Sequence, residues 1–517
     1  MSVSRRRGRA VDRNPHPPPG LRAPVIARAL MLLVLAAALA GPIAPAARAA
    51  GDIDLGIADD RALMFDRDQA RAARTVIAWR DLGIDRVRLL AQWQQLSPDA
   101  GASRPPDGFD VANPDDPRYD WSALDRGVRM VRAAGLQVML SVTGPGPLWA
   151  TSSPAGGNRR AKPRPDLFGR FARAVALRYG PDVDRYIVWN EPNIPLWLQP
   201  QFTCRGRSCT PYAPHLYRRL VQAAWSGIHG ADGDARVLMG ALAPRGQNPR
   251  SRNAIMRPLT FLRALGCVGD RLQRLRTGSC RGFQPAQAEG IAYHPHSVLR
   301  APDEPNPNPD EAALADLPRL ERLLDGIQRR NGLRNTLGRT RPFDLHFTEY
   351  GYQTRPPDPR DGVQLSLQAK WLQQAAFIAW RDPRVRNVTQ YEWRDEPLSR
   401  GVAGWQSGLR FVNDRSKPAL HSFPQPFWAQ PLGTGRTARL WGQVRPGGVH
   451  DVSLQRRAPG APTWTTFRRV RTTGRGFFTL TVAVNRRLDY RFTWRESATT
   501  PLRASDPRRL TPPTRRR

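Results

Sequence analysis

Short apolar runs alternate with helical periods along the chain from about Ile53 to Val388. The runs at 53–57, 85–90, 137–142, 185–189, 237–242, 290–294, 344–349 and 386–393 read as eight strands, each bounded by turn or helix signals. Helical spacing fills the gaps between them. Leu317, Leu320, Leu324 and Ile327 recur at i, i+3, i+7 and i+10, which places one apolar stripe on one helix face. Leu372, Ala375, Ala376 and Ala379 form a similar stripe in a later helix. Gly83 and Gly135 each sit between a helix and a strand, where a glycine just past the helix end takes the left-handed conformation. Eight βα repeats predict an α/β chain with a (β/α)₈ TIM barrel over 51–425 and long loops. A doubly wound open sheet is the competing fold, but no glycine-rich phosphate fingerprint follows the first strand.

The pattern changes after about Gln425. The runs ARLWGQV, VHDVSLQ, GFFTLTVAV and LDYRFTW alternate with period two, with Gly447, Gly448, Gly474 and Gly476 supplying turns. They predict a small antiparallel β-sandwich of the immunoglobulin-like kind over 430–496. Its role is either a structural cap or glycan and wall binding. The Pro- and Arg-rich stretch 497–517 reads as a disordered basic tail. At the other end, arginines from Arg5 to Arg9 precede the apolar run ALMLLVLAAALA at 29–40, and Ala47-Arg48-Ala49 offers small residues for cleavage. Residues 1–50 therefore read as a signal peptide with a basic n-region, the apolar run being short for a membrane span. An uncleaved anchor is the alternative.

Composition bears on partners. Of 80 Lys and Arg residues only Lys162, Lys370 and Lys417 are lysines, and the formal net charge is +36. The arginines are dispersed and no nucleic-acid module accompanies them, so nucleic acid is not the expected partner. The excess reflects either arginine-biased coding or attraction to an anionic cell-wall glycan or membrane surface. Four cysteines, Cys204 with Cys209 and Cys267 with Cys280, enclose two short loops and suit an exported chain with two local disulfides. Three connectivities are open; adjacent pairing is the simplest. Zinc is the weaker reading of those spacings. The remaining expectation is a monomer, secreted and in some settings wall-associated, with no span after cleavage.

Two strings carry chemistry. Val188-Trp189-Asn190-Glu191-Pro192-Asn193 closes the fourth strand, and Phe347-Thr348-Glu349-Tyr350-Gly351 closes the seventh. In a barrel the carboxyl ends of the strands form the active face. Phe347 shares a strand parity with Glu349, and Trp189 with Glu191, so alternation predicts a carboxylate as the last inward side chain on each strand. Two carboxylates facing each other can divide the work of retaining glycoside hydrolysis. One is protonated to release the leaving oxygen, and the other is ionised to attack the anomeric carbon.

On these strings the chain resembles clan A glycoside hydrolases, most closely the type seen in families 5 and 39, over roughly residues 53–425. The resemblance implies Glu191 as general acid/base, Glu349 as nucleophile and Asn190 as the partner of the sugar 2-hydroxyl. It implies that Arg88 orients the nucleophile and that Trp393, in YEWRDEP, is a sugar platform. His294-Pro295-His296 departs from the family pattern: His296 stands where a Tyr is usual, which puts the usual Tyr contact to the nucleophile in doubt.

His294 and His296 share a parity, so both can line a pocket. A metal pair is one reading of them, but the sequence offers no third ligand at good spacing, and neither a metal nor a cofactor is expected. Trp149 and Trp93 are further candidate sugar subsites, or core residues. Glu392 and Asp395 flank Trp393 as rivals for the acid role, and Asp59 either meets a sugar hydroxyl or caps a helix. The expected function is an O-glycosyl hydrolase acting with retention on a polysaccharide or glycoside. A non-catalytic glycan-binding or wall-associated protein on the same barrel, and a transglycosidase, are the alternatives. Sugar, linkage and exo or endo action reside in loops such as 152–165 and 202–211.

Overall fold

Eight parallel strands close into a barrel, each hydrogen-bonded to its sequence neighbours and the last to the first. They are β1 Asp54–Ala58, β2 Arg86–Gln92, β3 Gln137–Thr143, β4 Val183–Val188, β5 Arg236–Leu242, β6 Gly290–Tyr293, β7 Leu345–Tyr350 and β8 Val385–Tyr391. The computed structural model describes residues 53–397, 404–497 and 499–513. The leader expected over 1–50 lies outside the described residues. All eight expected runs become barrel strands, with ends displaced by up to a few residues.

Seven helices cover the barrel, one between each successive pair of strands: α1 Gln69–Asp81, α2 Ser122–Ala133, α3 Pro165–Tyr179, α4 Ala213–His229, α5 Pro258–Leu265, α6 Leu317–Arg329 and α7 Leu365–Arg381. The α6 stripe of Leu317, Leu320, Leu324 and Ile327 is buried against the sheet. Asp68 caps α1 by accepting from the Arg71 N–H at 2.9 Å. Gly83 and Gly135 follow α1 and α2 at φ 79° and 78°, a conformation that costs glycine little.

The sheet separates two cores. Val87, Leu89, Val138, Leu140, Tyr186 and Val188 face the helices in the main apolar cluster. Met139, Ile187, Leu238, Ala241 and Ala292 form a second, small cluster. Their alternation with the outward residues puts them inside the barrel. This thin apolar layer has buried polar inward residues on both sides: Arg86 and His346 toward the strand starts, and Arg88, Ser141 and His294 toward the strand ends.

Beyond the barrel, β9 Phe427–Leu432, β10 Thr437–Gln443 and β13 Phe477–Ala483 form one antiparallel sheet. A second is built from β12 Thr465–Arg471, β11 Asp451–Arg457 and β14 Leu488–Trp494. They enclose a core of Phe427, Leu440, Leu454, Phe478 and Phe492 among others, the expected antiparallel sandwich. The stretch expected to be a disordered tail differs. Short strands β15 Arg503–Ala504 and β16 Arg508–Leu510 pair with β14, and Ser505 and Leu510 are buried. Composition weighs side chains only, whereas here the open backbone edge of β14 recruits the segment.

The sandwich docks on the strand-start end of the barrel and on α7. Trp441 and Phe477 pack against Trp380, and Trp441 also against Phe377. Arg475 donates to the Ile53 carbonyl at 2.9 Å and to Asp85 at 3.0 Å, both at the starts of β1 and β2. The strand ends on the opposite side stay clear of these contacts. Disulfides join Cys204 to Cys209 and Cys267 to Cys280, the adjacent pairing expected. Among the described residues no helix is long and apolar enough to cross a membrane.

Candidate active site

Arg88 organises the carboxyl end of the barrel. Its Nη1 donates to Glu349 Oε1 at 2.5 Å, its Nη2 to Asn190 Oδ1 at 2.7 Å and its Nε to Ser141 Oγ at 2.8 Å. Three strands besides its own, or the loops that follow them, are thus tied to one guanidinium that is 2% exposed. Because Asn190 accepts through its oxygen, its amide nitrogen is the end left to donate. Burial pushes the Glu349 carboxyl up, but the charges of His294 and Arg88 and the approach of His296 outweigh it and hold the group below the usual carboxylate range.

His294 stands between the two glutamates. Its Nδ1 lies 3.1 Å from Glu191 Oε1 and 3.5 Å from Glu349 Oε2. Those two oxygens are therefore separated by no more than the sum of the two distances. That bound admits the ~5–5.5 Å of retaining pairs and leaves out nearly all of the ~6.5–9.5 Å range of inverting ones. Glu191 and Glu349 keep 15% and 10% of their side-chain surface exposed, so each is reachable from the mouth.

The route by which the glutamates arrive differs from the expected alternation. Phe347 faces the helices in the main core, as do Leu345 and Trp189, and His346 is the inward neighbour of Gly290. Regular continuation would turn both glutamates outward. On β7 the register slips between Phe347 and Tyr350, which rotates Glu349 inward. After β4, Trp189 has φ 69° and Glu191 φ 37°. Left-handed backbone at bulky residues is strained. It leaves the Trp189 ring against Phe168 of α3 while Asn190 and Glu191 turn into the mouth.

His296 takes up the place of the Tyr that the sequence lacks. Its Nε2 is 3.6 Å from Glu349 Oε2, and its ring stacks between Tyr350 and Trp405. The tryptophan expectations fail. Trp393 is 3% exposed, lies edge-on to Trp79 of α1 and is covered by the Arg410 guanidinium. Strand β8 stops at Tyr391, so Trp393, although it shares the parity of Tyr391, is no longer held inward by the ladder and has no free face for a sugar. Tyr391, of inward parity, and Trp405 stand beside His296 instead. Trp149 and Trp93 are buried and packed edge to face against each other, which makes them core.

Asp59 is a cap. It accepts from the N–H groups of Ala62, Trp393 and Arg394. Asp395 is buried in an ion pair with Lys417 at 2.7 Å. Among the described residues Glu392 has no ion-pair partner, and burial, with Asp59, Glu396 and Asp395 nearby, pushes its carboxyl well up. Neither joins the Arg88 cluster.

Besides Tyr391 and Trp405, two further members of the mouth were missed in the sequence. Ser141 anchors Arg88. Asp60 is pushed by burial up to about 7 against the opposing charge of Arg88, with Asp59 and Glu349 adding to the rise. The signal for Asp60 was present: Asp54, Gly56, Ala58 and Asp60 share one parity, and Gly56 faces the inward Thr389.

No protein-family model and no curated protein matches the chain. Among solved structures it is similar to a family 39 glycoside hydrolase from the gut symbiont Bacteroides cellulosilyticus WH2, at 15% identity and a TM-score of 0.46, over 83% of this chain and 79% of that one. A glucosidase from Croceicoccus marinus is similar at 11% identity and a TM-score of 0.47, over 85% of this chain and 95% of that one. Xylanase 10B from Thermotoga petrophila RKU-1, in complex with xylobiose, is similar at 14% identity and a TM-score of 0.40, over 72% and 92%.

Proposed function

We propose that the chain is a retaining O-glycosyl hydrolase in which Glu349 is the nucleophile and Glu191 the general acid/base. The observation that carries this reading is the single His294 nitrogen lying 3.1 Å and 3.5 Å from the two carboxylates, with Arg88 held on Glu349. Arg88 keeps Glu349 anionic and aims it, so that one oxygen is free to form a glycosyl ester. Glu191, without such a guanidinium, is the one suited to carry a proton to the leaving oxygen and then to draw one from water. The amide nitrogen of Asn190 is placed to donate to the sugar 2-hydroxyl, a position whose hydrogen bonds contribute to transition-state binding in retaining hydrolysis. The two disulfides fit action outside the reducing cytoplasm.

The test is turnover of an aryl glycoside. Glu349→Ala is expected to lower it by about 10⁴-fold or more, the scale of losing a covalent nucleophile, with the melting temperature retained. Near-normal turnover in that variant would sink the assignment. Proton NMR of the first-formed sugar is expected to show the substrate's own anomer, and the opposite anomer would rule out retention.

A further inference from the structure

His296 Nε2 and Glu349 Oε2 face each other across a gap that either a second ring proton or a metal ion can fill. The His296 Nδ1 lies 3.4 Å from the Gly351 carbonyl, which can only accept, so the proton sits on Nδ1. When the ring is neutral, its Nε2 presents a lone pair to Glu349 Oε2, itself an acceptor, at 3.6 Å. That nitrogen is buried and has no hydrogen-bond partner among the described residues, and His296 is 3% exposed. On the other side of the same oxygen His294 Nδ1 stands at 3.5 Å. The three ligand atoms all lie within 4.8 Å of one another.

We propose that His294, His296 and Glu349 form a binding site for a divalent transition-metal ion of the zinc class, and that an ion bound there blocks the glycosidase reaction. Two imidazole nitrogens and one carboxylate oxygen are a zinc-type donor set, with water completing the fourth position. Zinc–ligand lengths of about 2.0–2.1 Å in a tetrahedron give edges of about 3.3–3.4 Å. The two edges at Glu349 Oε2, 3.5 and 3.6 Å, are already close to that. The third ligand that the sequence did not offer comes from another strand: the histidines follow β6, and Glu349 closes β7. Arg88 engages the other carboxylate oxygen, so Oε2 is the one turned to the histidines. Stacking of His296 between Tyr350 and Trp405 fixes the ring plane in advance of binding.

The binding stands on ligand geometry alone, whereas the blocking effect rests on Glu349 being the nucleophile. Its attacking oxygen would be coordinated and its neighbouring space filled. The ion is therefore a reversible inhibitor that competes with substrate.

Protein stripped with EDTA is titrated with Co²⁺ alone. The expected result is the visible d–d absorption of a four-coordinate site, saturating at one equivalent and displaced by Zn²⁺. It is expected to be lost in His296→Gln and in the isosteric Glu349→Gln, which serves if the first variant does not fold. No absorption, or absorption that survives in both folded variants, overturns the site. In the activity arm, Zn²⁺ is expected to raise the apparent KM for an aryl glycoside at least about tenfold, reversed by EDTA. An unchanged KM or a stimulated rate overturns the inhibitory role. Metal-free protein with no turnover at all would refute the glycosidase reading, and the cobalt spectrum would still decide the site.

Discussion

Arg86 and Arg88 occupy the same strand, point to the same side of the sheet and sit only about 7 Å apart along β2, yet they do different work. Both are almost fully buried. Arg86 donates to Asp184 at 2.5 Å, to Asp54 at 3.3 Å and to Gln137, all on the strand-start side of the barrel. The Asp184 side chain is 51% exposed, and Asp54 also meets Arg185 and Arg475. This end is an ionic plug with charges of both signs, covered on the β1 and β2 side by Arg475 of the sandwich. Arg88 reaches instead across the barrel to Glu349 and Asn190, at strand ends whose backbone is strained or slipped. One arginine braces and the other aims. The contrast shows that burial and ion pairing alone do not mark a catalytic residue. What separates the two is where their partners stand, at the starts of the strands or at their carboxyl ends.

That contrast can be broken from either end. The largest effect on turnover is expected at Arg88: Arg88→Leu should lower kcat/KM per folded molecule by about 10²–10³-fold, the cost of one aimed electrostatic contact. A large loss of stability with activity intact would reverse the assignment of the two ends. Arg86→Leu should do the opposite, costing about 2–3 kcal/mol in urea unfolding while kcat/KM per folded molecule stays the same. That is below the about 3–5 kcal/mol of breaking a fully buried pair, since Asp184 can turn to water.

The strand-start end should also carry its own pH signature. Burial, with Arg185, Arg86, Arg236 and Arg386 around it, holds His346 well below its ordinary value of 6.5. It stays neutral in the folded chain and takes a proton once unfolded. Its contribution is therefore complete above pH 6.5 and declines as pH falls, by up to about 1.4 kcal/mol per pH unit. Stability measured from pH 7 to 5 should slope more steeply in the parent than in His346→Gln; equal slopes would remove His346 from the account. The smallest effect is expected where Arg475 covers that end. Arg475→Ala, whose side chain is one-third exposed, should cost about 1 kcal/mol or less and leave KM unchanged. A changed KM would mean that the sandwich communicates with the mouth.

Much of this architecture was legible in the chain. Strand and helix periods are local, so eight βα repeats and the change to alternating runs near Gln425 could be read directly, and so could the adjacent cysteine pairs. The barrel's polarity then placed Glu191 and Glu349 at the carboxyl ends of the strands. Parity was the weak step. Alternation is a property of a regular strand, and both glutamates sit where the strand stops being regular, so their inward turn owes nothing to the period. The same limit misassigned Trp393, which lies past the end of β8, and overlooked Asp60, where the period did continue.

The amino-acid order by itself thus determined the barrel, the sandwich and the two carboxylates, because each follows from periods and residue types within a few positions. Only the tertiary structure decided which way Glu349 and Glu191 point, that His294 lies between them, and that His296 and Glu349 come close enough to share an ion. It also brought the last strands onto β14. These depend on contacts between residues tens to hundreds of positions apart, such as Arg88 with Glu349, whose energies no local pattern records.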